Sequence, residues 1–245
     1  MNNSSQPKTN KDWEDLAQVD ALWAILSDPQ KKYGKWEIGD FFKEGEREVS
    51  EIIKYLGSKG IGSKFGKILD FGCGAGRLAQ SFSGHCREYY GVDVSRSMLK
   101  LAEKYNNDCP NCKFLFNEKD DLSIFGDNSF DLIYSNIVLQ HIPSKDARRY
   151  IAEFVRILKP GGHLYFQLPG HIPFIHRFQP RRHLYTAMRK LGVPSDFLWR
   201  KLKLMPIRMM SLPPKEVARI VEDDAEVLEV RFPRDYGTRY LIRKK

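Results

Sequence analysis

Between residues 64 and 168 short apolar runs alternate with amphipathic stretches. KILDF (67–71), EYYGVD (88–93), KFLF (113–116), SFDLIYS (129–135) and HLYFQLP (163–169) are short, rich in β-branched and aromatic residues, and read as strands. The stretches between them have helical spacing. RLAQSFS (77–83) is closed by Gly84, and SRSMLKLAEKY (95–105) opens on Ser95, a good N-cap. SKDARRYIAEFVRIL (144–158) puts Ile151, Phe154, Val155 and Leu158 on one face and is stopped by PGG. Strand–helix alternation of this kind predicts a parallel sheet covered by helices on both faces.

Two flanking regions break the rhythm. WEDLAQVDALWAIL (13–26) and FFKEGEREVSEIIKYL (41–56) are helical and separated by a break at Asp28-Pro29. After Pro169 the alternation stops for about forty residues, then resumes with PPKEVARIVEDD as helix and EVLEVRF and RYLIRKK as strands. The domain layout expected is a disordered tail over 1–10, a helical lid over 11–57 and a main domain over 64–245. Residues 170–210 form an insertion in that domain, on the side of the pocket where an acceptor would enter.

Composition adds little until charge is considered. A chain of 245 residues with 42% hydrophobic and 29% charged residues suits one sizeable packed domain. The polar start and the lack of any membrane-length apolar run make a soluble cytoplasmic protein the expectation. Cys109 and Cys112 form a lone CPNC; with no second ligand pair a turn is expected there and no metal. The net charge of +9 is uneven: residues 170–210 contain nine Lys or Arg against Asp196 alone. Such an asymmetry concerns partners rather than fold.

ILDFGCGAG (68–76) carries the chemistry, with Gly72, Gly74 and Gly76 at alternate positions behind the first strand. A glycine loop between a strand and a helix lets the backbone approach a ligand at the carboxyl edge of the sheet. A dinucleotide loop would have a third glycine where Arg77 stands, and Asp70 would repel a pyrophosphate. A ligand with a cationic end removes the conflict, and S-adenosylmethionine has an ammonium and a sulfonium and no phosphate. Asp93, closing the second strand, is suited to accept both hydroxyls of a ribose.

ILDFGCGAGRLA, YYGVDVSRSMLKLAEKY, NSFDLIYSNIVLQHI and FVRILKPGGHLYF together resemble the successive motifs of the class I S-adenosylmethionine-dependent methyltransferases, small-molecule type. The resemblance implies a Rossmann-like seven-stranded sheet, mostly parallel with an antiparallel last strand. It implies S-adenosyl-L-methionine as cofactor and S-adenosyl-L-homocysteine as product. It places Asp70, Gly72, Cys73, Gly74 and Gly76 around the methionine part, Asp93 on the ribose, and Val94 and Met98 against adenine. Asp121 and Leu122 border the adenine edge, and Asn136 lies below the methionine part. The activity implied is methyl transfer to a small-molecule or lipid-like acceptor, at oxygen or nitrogen. Methylation of RNA or protein, and a non-catalytic cofactor-binding scaffold, are the alternatives.

A hydroxyl acceptor needs a base near the departing proton. His141, after the fourth strand, is the candidate, although a histidine there is also a common helix-start residue. His171 and His176 follow the fifth strand and are candidates for the acceptor pocket. Tyr33, Trp36, Phe41 and Phe42 either close over the cofactor or bury a helical face on the sheet. Arg77 either meets the cofactor's carboxylate or faces solvent. The basic segment interleaves its cations with Phe197, Leu198, Trp199, Leu202, Leu204 and Met205. That pattern suits a peripheral contact with anionic membrane, a cap for an acidic acceptor, or a solvated face; nucleic acid is not favoured.

Overall fold

The computed structural model describes residues 8–173, 178–205, 207–233 and 237–245. Seven strands form one sheet in the order β3-β2-β1-β4-β5-β7-β6. They are β1 (Phe65–Phe71), β2 (Cys86–Asp93), β3 (Cys112–Phe116), β4 (Phe130–Ser135), β5 (Leu158–Gln167), β6 (Ala225–Arg231) and β7 (Arg239–Lys244). Strands β1 to β5 pair in parallel, and β7 runs antiparallel to both β5 and β6. The winding reverses between β1 and β4, so the crevice of the switch point opens beyond the carboxyl ends of those two strands.

Period-two alternation distributes the strand residues between two cores. Leu69, Phe71, Ile133, Leu164 and Phe166 face α5 (Ser144–Ile157) and α8 (Pro214–Val221). Their neighbours Ile68, Tyr89, Leu132, Tyr134 and Tyr165 face α2 (Ile38–Ser58) and α3 (Ala79–Ser83). The fifth strand begins earlier than the PGG stop suggests. It starts at Leu158, and the ladder with β4 shifts register between Phe130 and Leu132, while Gly161 takes a φ of +75°. A bulge absorbs the turn residues and the strand continues.

The front segment has two different jobs. Helix α2 is a layer of the main domain, with Val49, Ile52 and Leu56 buried on the sheet. Helix α1 (Lys8–Ile25) starts within the stretch expected to be a tail and crosses the carboxyl edge instead. It kinks at Asp20, whose carboxylate accepts from Tyr33 N at 2.6 Å and Gly34 N at 3.1 Å. Those two bonds serve donors of a turn in which both residues have positive φ.

After β5, α6 (Pro180–Lys190) and α7 (Ser195–Arg200) pack on the front segment. Trp199 meets Trp23 with ring centroids 4.6 Å apart, and Arg189 pairs with Asp15 at 2.9 Å. Residues beyond α7 return along the carboxyl edge, where Met210 N donates to Gln140 O at 2.7 Å.

Gly45 sets how closely α2 approaches the glycine loop. A Cβ there would lie 2.3 Å from Arg77 O, a backbone atom that cannot swing away. Gly45→Ala should therefore destabilise the protein by about 1–3 kcal/mol in urea unfolding, as overpacking does. In an open helix the same change stabilises by about 1 kcal/mol. Gly57→Ala, in the same helix with nothing within 4 Å of its Cβ, is the control expected to be neutral or stabilising. Equal behaviour of the two variants would disprove the close approach.

Candidate active site

The glycine loop is shaped by backbone bonds to the neighbouring strand. Gly72 N and Cys73 N donate to Val92 O at 2.7 and 3.1 Å, and Gly72, Gly74 and Gly76 all take positive φ. One Asp93 oxygen accepts from Gly74 N at 2.9 Å and the other from Ser95 N at 2.8 Å. Burial raises the Asp93 carboxyl above the ordinary carboxylate range, while the bonds from Ser95 and Gly74 oppose the rise. Ser95 caps α4 (Arg96–Tyr105), its Oγ accepting from Met98 N at 3.1 Å.

Two acidic side chains reach this region from the front helices. Glu14 of α1 accepts from Ser95 Oγ at 2.8 Å and from both the hydroxyl and the N–H of Ser97. Burial pushes its carboxyl up, but the Ser97 and Ser95 bonds outweigh that and hold it low. A carboxylate at the α4 N-terminus is also favoured by the helix dipole. Glu48 of α2 accepts from Arg77 Nη2 at 2.6 Å, Tyr134 Oη at 2.6 Å and Asn136 Nδ2 at 3.0 Å. Neither residue stands out by motif. Glu48 does have a signal: it lies between Gly45 and Ile52, spaced three and four along the buried face of α2.

A cavity of about 590 Å³ lies in the crevice. Its floor is Gly72, Gly74 and Asp93, with Asn136 at the end of β4. Val94, Met98, Ile142 and Tyr150 make apolar walls, and Trp13, Ala24 and Ile25 of α1 close one side. The rim after β3 is acidic: Glu118, Asp120 and Asp121, with Asp146 from α5, against Lys119 as the one base among the described lining residues. With Asp93, the lining holds five carboxylates and one ammonium, Asp120 being paired with Arg149 from outside it. Such a lining attracts a cation and repels a phosphate.

Seven of the residues singled out from the sequence meet at this cavity: Gly72, Gly74, Asp93, Val94, Met98, Asp121 and Asn136. Four others are adjacent but buried behind it. Asp70 accepts from Tyr89 Oη at 2.7 Å beneath the loop. Cys73 is buried against Gly91, Gly76 packs on Asn106 and Ala102, and Leu122 is fully buried in the core under α5. Arg77 is buried on Glu48 and faces neither solvent nor the cavity.

The described candidates for catalysis and acceptor binding lie away from the cavity. His141 does not line the cavity. Its Nδ1 donates to Arg208 O at 2.6 Å, its Nε2 accepts from Gln140 Nε2 at 3.1 Å, and Trp13 stands between it and the cavity, its ring 5.3 Å from the imidazole. Burial lowers its pKa to about 4. With both nitrogens engaged, the imidazole is a structural link between the β4 edge and the returning chain, not a free base. Tyr33, Trp36 and Phe42 belong to an aromatic cluster with Trp23, Phe41 and Trp199 and do not line the cavity. His171 is exposed and does not line the cavity, while His176 lies outside the described residues. CPNC is a turn, with Cys112 N donating to Cys109 O at 3.0 Å.

Comparison with known proteins agrees with this architecture. Residues 69–166 match the family model described as a methyltransferase domain. A phosphoethanolamine N-methyltransferase of Triticum aestivum is 27% identical over 157 residues, covering 63% of this chain and 28% of the relative. A ubiquinone biosynthesis O-methyltransferase of Coxiella burnetii is 30% identical over 122 residues, covering 46% of this chain and 47% of the relative. The chain thus spans less than half the length of both relatives. Among solved structures, the magnesium protoporphyrin IX methyltransferase of Synechocystis, with bound S-adenosylhomocysteine, has a TM-score of 0.61 at 17% identity, covering 97% of this chain and 100% of that one. The N-methyltransferase NodS of Bradyrhizobium japonicum has a TM-score of 0.59 at 19% identity, covering 97% and 99%. At these identities the structures speak for the fold. Residues 69–166 thus carry a methyltransferase domain, and the chain around it has the fold of S-adenosylmethionine-dependent methyltransferases, whose cofactor is S-adenosyl-L-methionine.

Burial lifts the Asp70 carboxyl to about 7, against the Tyr89 bond that lowers it. An unfolded aspartate titrates near 3.9, so between about pH 4 and pH 7 the folded chain holds a proton that the unfolded chain has lost. This group therefore costs stability progressively as pH rises through that window. Asp70→Asn keeps an acceptor for Tyr89 and cannot ionise. It should gain stability relative to the parent between about pH 5 and pH 8 by on the order of 1 kcal/mol or more. Unfolding midpoints of both proteins at the two pH values check this; a difference independent of pH would show that Asp70 is ionised throughout.

Proposed function

We propose that this protein uses the cavity to bind S-adenosyl-L-methionine and transfers its methyl group to a small-molecule or lipid-like acceptor, at oxygen or nitrogen. One observation carries the reading: an acidic cavity floored by Gly72 and Gly74 and ending on Asp93, at the switch point of the sheet. The donor set fits the group. Gly72 and Gly74 are close-packed under Val138 and Ile25, where a Cβ would lie within 2.3 and 2.7 Å, so the floor is bare backbone. Each Asp93 oxygen accepts one backbone N–H and retains a lone pair for a ribose hydroxyl. Val94, Met98, Ile142 and Tyr150 suit a flat heteroaromatic ring, and the carboxylate surplus suits a cation while opposing a dinucleotide.

When bound, the cofactor supplies an electrophilic sulfonium methyl. The chain's own contribution is alignment, exclusion of water and electrostatics. Glu48 holds the amide of Asn136, and Arg77 neutralises Glu48, so the polar floor at the end of β4 is fixed before a ligand arrives. Helix α1 screens one side with Trp13 and Ile25. The described lining contains no histidine or cysteine, so an acceptor proton would pass to a carboxylate or to solvent. Support for oxygen or nitrogen as the acceptor atom comes from relatives named for O- and N-methylation of small molecules. None of the described cations of residues 170–210 lines the cavity, and the charge of Arg208 interacts with a lining residue, Asp146.

Calorimetric titration should show binding of S-adenosylmethionine and S-adenosylhomocysteine and none of NAD. Removal of the Asp93 carboxylate leaves ribose hydroxyls unpaired, so Asp93→Ala should weaken either ligand by about 2 kcal/mol or more, roughly thirtyfold. An unchanged dissociation constant in a folded variant, or tight NAD binding by the parent, would overturn the assignment. Transfer of label from the methyl-labelled cofactor across a panel of amines, phenols and lipids then identifies the acceptor.

A further inference from the structure

Apart from the half-buried Arg208, the described cations of residues 170–210 divide into two groups. Arg189 pairs with Asp15, Arg182 with Asp12 and Arg200 with Asp196. Arg181, Lys190, Lys201 and Lys203 are exposed and have no ion pair among the described residues. Large apolar side chains are exposed beside them: Leu191 at 83%, Leu184 at 51%, Phe197 at 46% and Leu202 at 41%.

This is not a loosely folded segment exposing its core. The inner faces of α6 and α7 close on each other through Tyr185, Leu198 and Leu204, supported by Met188 and Val193. Leu184, Ala187 and Leu191, spaced three and four apart, form a stripe on the side of α6 turned away from Tyr185. The unit is thus amphipathic twice, with a satisfied inner face and an apolar outer face set among unpaired cations. No described helix is long and apolar enough to cross a membrane, so the outer face can engage a bilayer only from its surface.

We propose that the outer face of α6 and α7 docks on an anionic lipid bilayer. Leu184, Leu191, Phe197 and Leu202 enter the interfacial region, and Arg181, Lys190, Lys201 and Lys203 lie among the acidic headgroups. The chemistry selects this occupant. Interfacial binding combines buried apolar area with cation–lipid attraction, and both are present on one two-helix unit. A second copy of the chain would bring like charges together. Nucleic acid would use the cations, but three of the four apolar groups are leucines, which offer no stacking platform for bases. The proposal rests on surface chemistry and stands apart from the methyl-transfer reading.

Vesicle flotation of the full chain tests it, with neutral phosphatidylcholine and with a phosphatidylcholine–phosphatidylglycerol mixture. Binding is expected to the anionic vesicles alone at about 0.1 M salt, and to fall at about 1 M as the Debye length shrinks from about 10 to 3 Å. Each cation near an acidic surface is worth about fivefold in partition, so K190Q/K201Q/K203Q should lose roughly a hundredfold. L184S/L191S should weaken binding at both salt concentrations, which a purely electrostatic contact would not show. Both variants leave the inner-face residues untouched, and thermal melts should match the parent. Equal binding to neutral and anionic vesicles, or none to either, overturns the proposal. So does indifference to both variants, tighter binding of single-stranded RNA than of vesicles, or sedimentation as a dimer that L184S/L191S dissociates.

Discussion

The Asp93 carboxylate is the interaction on which the site depends. It stands at the end of β2 and accepts one N–H from the glycine loop and one from the residue that caps α4. The end of one strand, the turn after its neighbour and the start of a helix are thereby held by a single charged group. That group is half-buried at the cavity floor, and desolvation raises its pKa, so the backbone bonds compensate a cost that would otherwise stand. The same carboxylate is the group proposed to accept a pair of ligand hydroxyls. A residue that first organises the loop is thus already oriented when a ligand enters, which is how preorganisation is achieved without a mobile part.

Around that centre, charge is sorted by position. Carboxylates line the cavity; the unpaired cations of α6 and of the chain just after α7 lie outside it. The net charge of +9 consequently says nothing about the ligand of the cavity, and the local sign is opposite to the global one. A total taken over a chain reports on long-range attraction to large partners, whereas a small ligand responds to the groups within a few ångströms.

The front segment shows why a single functional label for a stretch of sequence fails. Both of its helices have apolar faces, yet α2 is part of the sheet's own covering and α1 is a wall of the cavity. Each contributes one acidic side chain to the site. Glu48 fixes Asn136 and Arg77, and Glu14 completes the cap of α4. Arg77, beside the glycines and open to either a ligand or a solvent reading, is instead consumed by Glu48.

Strand and helix periods determined the sheet class and the helix layers, because burial on one or both faces leaves a local signature in the order of residues, whereas the reversed last strand was implied by the resemblance of the motifs. The glycine spacing and the aspartate closing β2 likewise marked where a cavity meets backbone, since those needs are met by neighbours in the chain. What only the tertiary structure decided involves partners far apart. Glu14 and Ser95 are 81 residues apart, Glu48 and Asn136 are 88 apart, and His141 is bound to a carbonyl 67 residues away. Periodicity states that a face is buried and leaves open what it is buried against. Hence the aromatic residues of the front segment could be read as a lid or as core, and His141 as a base. Helix packing gives the aromatics one another and the imidazole two hydrogen bonds that leave no nitrogen free.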